Sequence, residues 1–250
     1  MRPTMALTRV ETLLFLRNPT SIFMALLPAL LLLLQAYVIP GTRNPIGGSD
    51  PAFAALRPID FFVPVAISVA MTSIAITNYP SSVGSYRETG ILRRLGVTPV
   101  GAHRVLLAQW AVSGLSLASA VALTLIVAWL AIGTTTPRNP VVAVITVVVG
   151  TIAMMSLGSV IAAIAPSAQA AYGLGLLVFM AAMFTAGVWT PGPLMPDAIR
   201  TFSAYTPMGA MTQALTDAWY TGTASLTPFI VMTGWALLTS VFAVRVFRWT

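Results

Sequence analysis

The stretch FFVPVAISVAMTSIAITNYPSSVGSY, residues 61–86, decides the fold because it contains no charged residue over its whole length. A helix needs about 20 consecutive apolar residues to cross the hydrocarbon core of a bilayer. The next segment, RETGILRRLGVTPVG (87–101), concentrates three arginines and one glutamate. This order predicts a membrane-spanning helix that ends at a charged, water-facing connection.

The rest of the chain has the same character. Of its 250 residues, 57% are hydrophobic and only 8% are charged, whereas soluble domains carry about 25% charged residues. Because backbone polar groups find no partners in lipid, uncharged segments of this length are expected to be helices. We therefore predict an all-α membrane protein, one domain over residues 1–250. The predicted spans are six, at 21–39, 60–80, 105–131, 141–164, 170–189 and 227–246.

The charges between these spans predict an orientation. One face would carry nine arginines and two glutamates, a net +7, and the other four arginines and four aspartates. Positive charge accumulates on the cytoplasmic side, so both termini and the 87–101 connection are expected there. The basic residues are all arginine, which is typical of a GC-rich genome. We expect a multi-pass protein of a bacterial cytoplasmic membrane.

Composition also excludes some chemistry. The chain has no Cys and one histidine, His103, so disulfides and multi-histidine metal sites are excluded. It has no Lys, and the phosphate-binding loop requires one. We therefore expect no ATPase motif in this chain. We also expect no cofactor in this chain and no nucleic-acid partner.

Two segments outside the spans predict additional helices. Residues 1–18 place Leu7, Val10 and Leu14 on one side of a helix, which favours an interfacial helix over a frayed terminus. The long semi-apolar segment 190–226 contains Pro196 and Pro207, each of which could begin a helix too short to cross. We expect re-entrant or outer-leaflet helices there.

The charged connection carries its own helix signals. Ser85 and Glu88 have the spacing of a capping box, and Gly96 followed by Pro99 is typical of a helix end. The predicted helix, 86–95, would be about 15 Å long, half a bilayer.

This helix would have two different faces. Its apolar side would carry Ile91, Leu92 and Leu95, and the opposite side three arginines with Gly90. The arginines could serve only to set topology and contact anionic lipid. A helix docked into a partner protein explains the segregated faces as well, and the residues leave both readings open.

Three stretches together resemble the type-2 ABC exporter permeases. They are 7–34, an interfacial helix and first span; 61–110, a Pro-containing span and its loop; and 184–215, a Gly- and Pro-rich exit region. The loop matches the family pattern E-x-G-x-L-x-R-L-x-x-T-P. The matching positions are Glu88, Gly90, Leu92, Arg94, Leu95, Thr98 and Pro99. The chain is most similar to the drug-resistance branch, such as the daunorubicin permeases.

The resemblance implies a function and partners. It implies a six-span permease that works as a homo- or heterodimer above two copies of a separate ATPase subunit, which binds Mg-ATP. The loop helix would then be the coupling helix that contacts the ATPase. The implied coupling residues are Arg87, Glu88, Gly90, Leu92, Arg93, Arg94, Leu95, Thr98 and Pro99.

The cargo can be predicted only as a class. No ionisable residue lies near the middle of a predicted span, which argues against ion coupling and favours export of a hydrophobic or amphipathic compound, such as a drug, an antibiotic or a lipid-like molecule. Candidate path residues are Gln35, Thr72, Asn78, Met180, Met183 and Thr185. Such Met, Thr and Asn residues also serve simply in helix packing.

Two other functions remain as alternatives. An ion-coupled secondary carrier would be expected to show internal repeats and buried charge, and the sequence shows neither. A non-transporting membrane scaffold is the second alternative. An intramembrane serine protease is excluded because His103, the only base, lies in the cytoplasmic connection.

Overall fold

The computed structural model describes residues 19–45, 56–91, 102–189 and 195–246. These parts of the chain contain helices and no strand. We number the helices α1 (Pro19–Val38), α2 (Pro58–Glu88), α3 (Ala102–Val127), α4 (Pro140–Ile164), α5 (Ala168–Thr185), α6 (Asp197–Ala204), α7 (Pro207–Thr216) and α8 (Leu226–Val246). The predicted interfacial helix at 1–18 lies outside the described residues.

Five helices are long and apolar enough to cross a membrane: α2, α3, α4, α5 and α8. They correspond in order to the last five predicted spans. The first predicted span corresponds to α1, a helix of 20 residues, in which Leu26–Val38 is a continuous apolar stretch among the described residues. The structure therefore confirms an all-helical membrane protein over the described residues, and the sixth crossing stays a prediction.

Helix α2 is the centre of the bundle. Its apolar window is entirely buried inside the protein, because α1, α3, α4, α5 and α7 all pack against it. One π-helical turn, Ile74–Asn78, interrupts it. At this turn Gly158 of α4 and Gly175 of α5 lie directly against α2 carbonyl groups, where a Cβ atom would collide. Small residues at such contacts let helix backbones approach closely.

An ion pair fixes the beginning of α2. Arg57 Nη2 lies 2.7 Å from Asp60 Oδ1, and the Arg57 main-chain N–H donates to Asp60 Oδ2 at 2.9 Å. The hydrogen bonds that the Arg57 guanidinium donates to the Asp60 carboxylate raise the pKa of Arg57 above its ordinary value. Arg57 Nη1 also donates to the carbonyl of Ile132 at 3.1 Å. This pair therefore attaches the start of α2 to the π-helical turn Ala128–Ile132, which continues α3.

The two short helices begin where their prolines predicted. Pro196 is the residue before α6, and Pro207 is the first residue of α7. Thr206 caps α7 by accepting the Gly209 N–H at 3.2 Å. Although α7 is too short to cross, it is largely buried and packs against α2, α4 and α8. It continues into a π turn, Asp217–Thr221.

Candidate functional site

The predicted coupling connection begins at the Glu88 end of α2. Thr89 N–H donates to the Ser85 carbonyl at 3.0 Å, and Gly90 N–H donates to the Arg87 carbonyl at 3.1 Å. Gly90 has a φ of +69°, a left-handed conformation that glycine adopts at helix ends without a Cβ penalty. Glu88 is thus the last residue of α2, and Ile91 is helical again.

The predicted helix start at Ser85 is wrong. Ser85 lies inside α2, where it cannot act as the capping residue of a new helix. The second span is also longer than predicted, since it continues to Glu88 rather than ending near residue 80. Tyr79 and Val83 are buried within the hydrophobic core, so packing sustains the helix beyond the length that a bilayer requires. The helix break falls at Gly90 instead.

Glu88 caps a different helix from the one predicted. Its Oε1 accepts the main-chain N–H of Ala168 at 3.2 Å, at the first residue of α5. Ser167 caps the same helix by accepting the Ala170 N–H at 3.0 Å. The first N–H groups of a helix have no partner within it, and a carboxylate there is also favoured by the helix dipole. Glu88 therefore attaches the end of α2 to the start of α5.

Arg87 makes the complementary contact with the end of α4. Its Nη1 donates to the carbonyl of Ala165, which directly follows α4. The last carbonyls of a helix lack partners within it, and a positive side chain is favoured at that end. Arg87 thus provides a hydrogen-bond donor at the end of α4, and the adjacent Glu88 provides an acceptor at the start of α5. Each charge is opposite to the partial charge at that helix end.

Close backbone packing reinforces these hydrogen bonds. A Cβ atom on Gly84 would lie 2.8 Å from the Ala168 Cα, so only glycine fits there without a shift. Ser81 Oγ donates to the Ala168 carbonyl at 3.2 Å. We call this group the joint. It consists of Ser81, Gly84, Arg87 and Glu88 of α2 with the connecting residues Ala165, Ser167 and Ala168.

Polar aromatic contacts extend the joint to α3. Trp110 Nε1 donates to the Tyr79 hydroxyl at 3.2 Å, and that hydroxyl lies 3.1 Å from Ser159 Oγ of α4. Gln109 Nε2 donates to the Tyr86 hydroxyl at 3.1 Å. Sequence reasoning did not predict these residues, although Tyr79 and Tyr86, seven residues apart, lie on one face of a helix.

The remaining predicted coupling residues cannot be placed. Of the nine, the structure describes Arg87, Glu88 and Gly90. The others, Leu92, Arg93, Arg94, Leu95, Thr98 and Pro99, lie outside the described residues, as does the predicted helix end at Gly96. The two-faced helix therefore stays a prediction.

The six predicted path residues lie on three helices, α1, α2 and α5. Thr72 is fully buried, donates to the Ser68 carbonyl at 2.7 Å and contacts Met154 Sδ at 3.7 Å. Met180 is 52% exposed on α5, and Gln35, Asn78 and Met183 are half-buried. Among the described cavities, one is lined by Thr185.

Comparison with known families assigns the chain. A family model described as ABC-2 type transporter matches residues 2–220. The chain therefore belongs to the ABC-2 type transporter family. No curated protein shows significant similarity to it.

Family membership establishes the general class of the protein. Members are transmembrane permease subunits that work with a separate ABC ATPase and are not ATPases themselves. Together with the five crossing-length helices, this makes the chain a multi-pass membrane protein. The expected family is confirmed at this level.

Proposed function

We propose that this chain is the permease of an ATP-driven exporter that moves a hydrophobic or amphipathic compound out across the cytoplasmic membrane. The observation that carries the proposal is the joint, where Glu88 and Arg87 connect the end of α2 to α5 and α4. The segment that follows is where the family resemblance puts the ATPase contact. A displacement of that segment would therefore be transmitted to three membrane helices.

Charge supports the orientation that this function requires. The face that includes the Glu88 end of α2 carries the entire net charge of +7, and positive charge favours the cytoplasmic side. The ATPase works where ATP is, so the joint has to lie on that side. We place both termini there too, with six crossings that include α1.

We propose that coupling works as a lever. The ATPase would contact residues 89–101 through Arg93, Arg94 and their apolar neighbours, in a groove formed when it binds Mg-ATP. A ligand shifts a conformational equilibrium only by its differential affinity for the two states. The ATPase must therefore contact this segment differently in its open and closed forms. The joint would carry that difference to α4 and α5, and a second permease chain would complete the path.

Membership in the ABC-2 type transporter family supports an exporter. The assignment to the drug-resistance branch is part of the proposal. The resemblance in the loop and in the 184–215 region favours the drug-resistance branch, and hence a role in antibiotic efflux. Among the six candidate path residues we favour Thr185, because it lines a cavity next to α6 and α7.

The test begins with isolation of the ATPase. The chain is purified from its native membranes, the co-purifying ATPase is identified, and both are reconstituted into vesicles containing the amphipathic dye rhodamine 6G. We expect ATP-dependent movement of dye and an ATP hydrolysis rate that differs from that of the free ATPase. Arg93→Ala with Arg94→Ala should abolish co-purification, whereas Arg138→Ala, at the opposite end of the bundle, should not.

Each alternative gives a different result. Dye movement driven by an imposed ion gradient without ATP would indicate a secondary carrier. A complex in which the chain leaves ATP hydrolysis unchanged and moves neither dye nor lipid would indicate a scaffold. Either result would overturn the proposed function.

A further inference from the structure

A cavity of about 260 Å³ lies at the Asp60 end of the bundle. It is an open cavity lined by the first turn of α2, the end of α5, α6, and one face of α7 with its π turn. The α7 side is a stripe at helical spacing, in which Gln213, Thr216, Asp217 and Tyr220 all line the cavity. Polar side chains that face a cavity in this way can bind a polar group of a ligand.

Asp217 is chemically different from the other acids that the structure describes. Asp60 pairs with Arg57, Asp197 pairs with Arg200, and Glu88 accepts an N–H group. Among the described residues, nothing hydrogen-bonds or pairs with the Asp217 carboxylate, and only its main-chain carbonyl accepts hydrogen bonds. Burial raises the pKa of Asp217 above its ordinary value, since a half-buried carboxylate is poorly solvated. This carboxylate faces the cavity without a counter-charge of its own.

Among the described residues that line the cavity, the one cation already has a partner. Arg200 lines the cavity, but its Nη2 lies 2.6 Å from Asp197 Oδ1. Its guanidinium therefore has its own carboxylate on the same helix, three residues away. Asp217 is thus the group among the described lining residues that can take a positive ligand.

The wall beside Asp217 is aromatic. The rings of Phe61 and Tyr220 both line the cavity, with centroids 5.0 Å apart and planes tilted by 45°. The Tyr220 hydroxyl donates to the Asp60 carbonyl, which fixes the ring. Aromatic faces attract cations, and aromatic side chains arranged around a cation recognise quaternary ammonium ligands.

We propose that this cavity binds an ammonium group carried on an apolar body, with Asp217 as its counter-ion and Phe61 and Tyr220 as its aromatic wall. The cavity has the volume of a headgroup rather than of a whole drug-sized molecule, so the apolar part would lie outside it. The ligand is either an amine-bearing lipid or an amine-bearing cargo. The inference does not depend on the ATPase, and its test uses the permease chain alone.

The absence of cysteine makes an accessibility experiment clean. Gln213 is exposed and lines the cavity, so Gln213→Cys places a thiol beside Asp217. The variant is reconstituted in phosphatidylglycerol vesicles, which contain no ammonium group. It is then labelled with methanethiosulfonate reagents carrying either a trimethylammonium or a sulfonate group. We expect the ratio of the cationic to the anionic reaction rate to be about tenfold higher at Gln213→Cys than at a control thiol outside the cavity, the factor that 1.4 kcal/mol produces.

Two comparisons isolate the contribution of Asp217. Adding Asp217→Asn to Gln213→Cys should remove most of this preference, while adding Asp217→Glu should keep it. Thr136→Cys, exposed at the same end and outside this cavity, corrects for the charge of the vesicle surface. Its preference should not respond to Asp217→Asn. An unchanged preference at Gln213→Cys in the Asp217→Asn background would overturn the proposal.

Protection by a ligand tests binding without altering Asp217. Dodecylamine should slow the labelling of Gln213→Cys at least threefold, and dodecanol, which has the same chain without the charge, should not. Equal effects of the two compounds would contradict an ammonium site. Protection by phosphatidylethanolamine added to the vesicles would identify a lipid ligand. Protection by dodecylamine alone would identify an amine-bearing cargo.

Discussion

The two ends of α2 use the same charges in different ways. At one end Arg57 and Asp60 pair with each other at 2.7 Å. At the other end Arg87 and Glu88 bond to main-chain groups of the connection between α4 and α5. The first arrangement is a local ion pair that also contacts α3. The second distributes one charge to each of two other helices.

We interpret this difference in terms of the proposed coupling, with one end of the bundle fixed and the other able to transmit movement. A local pair stays intact when neighbouring helices shift. The joint keeps its bonds only if α2 and the α4–α5 connection move together. We therefore interpret the Asp60 end as the anchored end and the Glu88 end as the driven end.

The largest expected effect on stability is at Asp60. Its side chain is 8% exposed and that of Arg57 is 24% exposed. Removing one partner of such a pair leaves a poorly solvated charge, so Asp60→Ala should lower the free energy of unfolding by about 3 kcal/mol. Chemical unfolding in detergent micelles measures this. Asp197→Ala removes the carboxylate of an exposed pair and should change it by less than about 1 kcal/mol. Equal effects would remove the distinction between a buried and an exposed pair.

A smaller loss is expected where α2 contacts α5. Gly84→Ala puts a Cβ atom 2.8 Å from the Ala168 backbone, and overpacking of this kind costs about 1–3 kcal/mol. The matched control is Gly114→Ala in α3, where a Cβ atom would meet no atom within 4 Å. This control should stabilise the helix by up to about 1 kcal/mol. If Gly84→Ala were as stable as Gly114→Ala, the joint would not be closely packed.

A pH effect is expected from Asp217. Because burial raises its pKa in the folded chain above the ordinary 3.8, the folded state binds this proton more tightly than the unfolded state. The resulting stabilisation is complete below pH 3.8 and is lost as the pH rises through the raised pKa. As the pH rises from 3.8 through this raised pKa, the unfolding temperature should fall more for the natural chain than for Asp217→Asn. Parallel curves for the two proteins would show that burial of this carboxylate has no effect.

The smallest effect on stability is expected at Glu88. The bond from Ala168 to Glu88 is exposed, so Glu88→Gln should lower the free energy of unfolding by less than about 1 kcal/mol. The unfolding assay used for Asp60→Ala provides the direct comparison. If Glu88→Gln lowered the free energy of unfolding as much as Asp60→Ala, the joint would be a structural anchor. That result would contradict the distinction between an anchored and a driven end of α2.

Much of the fold was predictable because it follows from length and hydrophobicity. The last five spans, the break at Ala165 to Ser167 and the helix starts at Pro196 and Pro207 all match local signals. The prediction that a helix starts at Ser85 failed because a capping box is a weak local preference. The packing of Tyr79 and Val83 in the core instead continues α2 past this residue. The Thr-Gly pair at residues 89–90 was the better helix-end signal.

The partners of the site residues could not be predicted. Arg87 and Glu88 were expected to contact another protein, and that contact stays a prediction. What the sequence did not indicate is that they also bond to residues 78 and 80 positions away in this chain. Charge alone does not determine which helix end a side chain will reach. Likewise the sequence presents Asp217 only as one more charge on the predicted outer side. That no described residue pairs with its carboxylate becomes visible only in the folded structure.

The most direct test of the central claim is the ratio of dye moved to ATP hydrolysed in reconstituted vesicles. The variant with Arg87→Gln and Glu88→Gln is compared with one carrying Arg138→Gln, an exposed residue outside the joint and outside the cavity beside Asp217. Our account predicts that the joint variant binds the ATPase and hydrolyses ATP, while its ratio falls at least fivefold, the equivalent of about 1 kcal/mol of coupling. The control should keep the natural ratio. An unchanged ratio in the joint variant would contradict coupling through the joint.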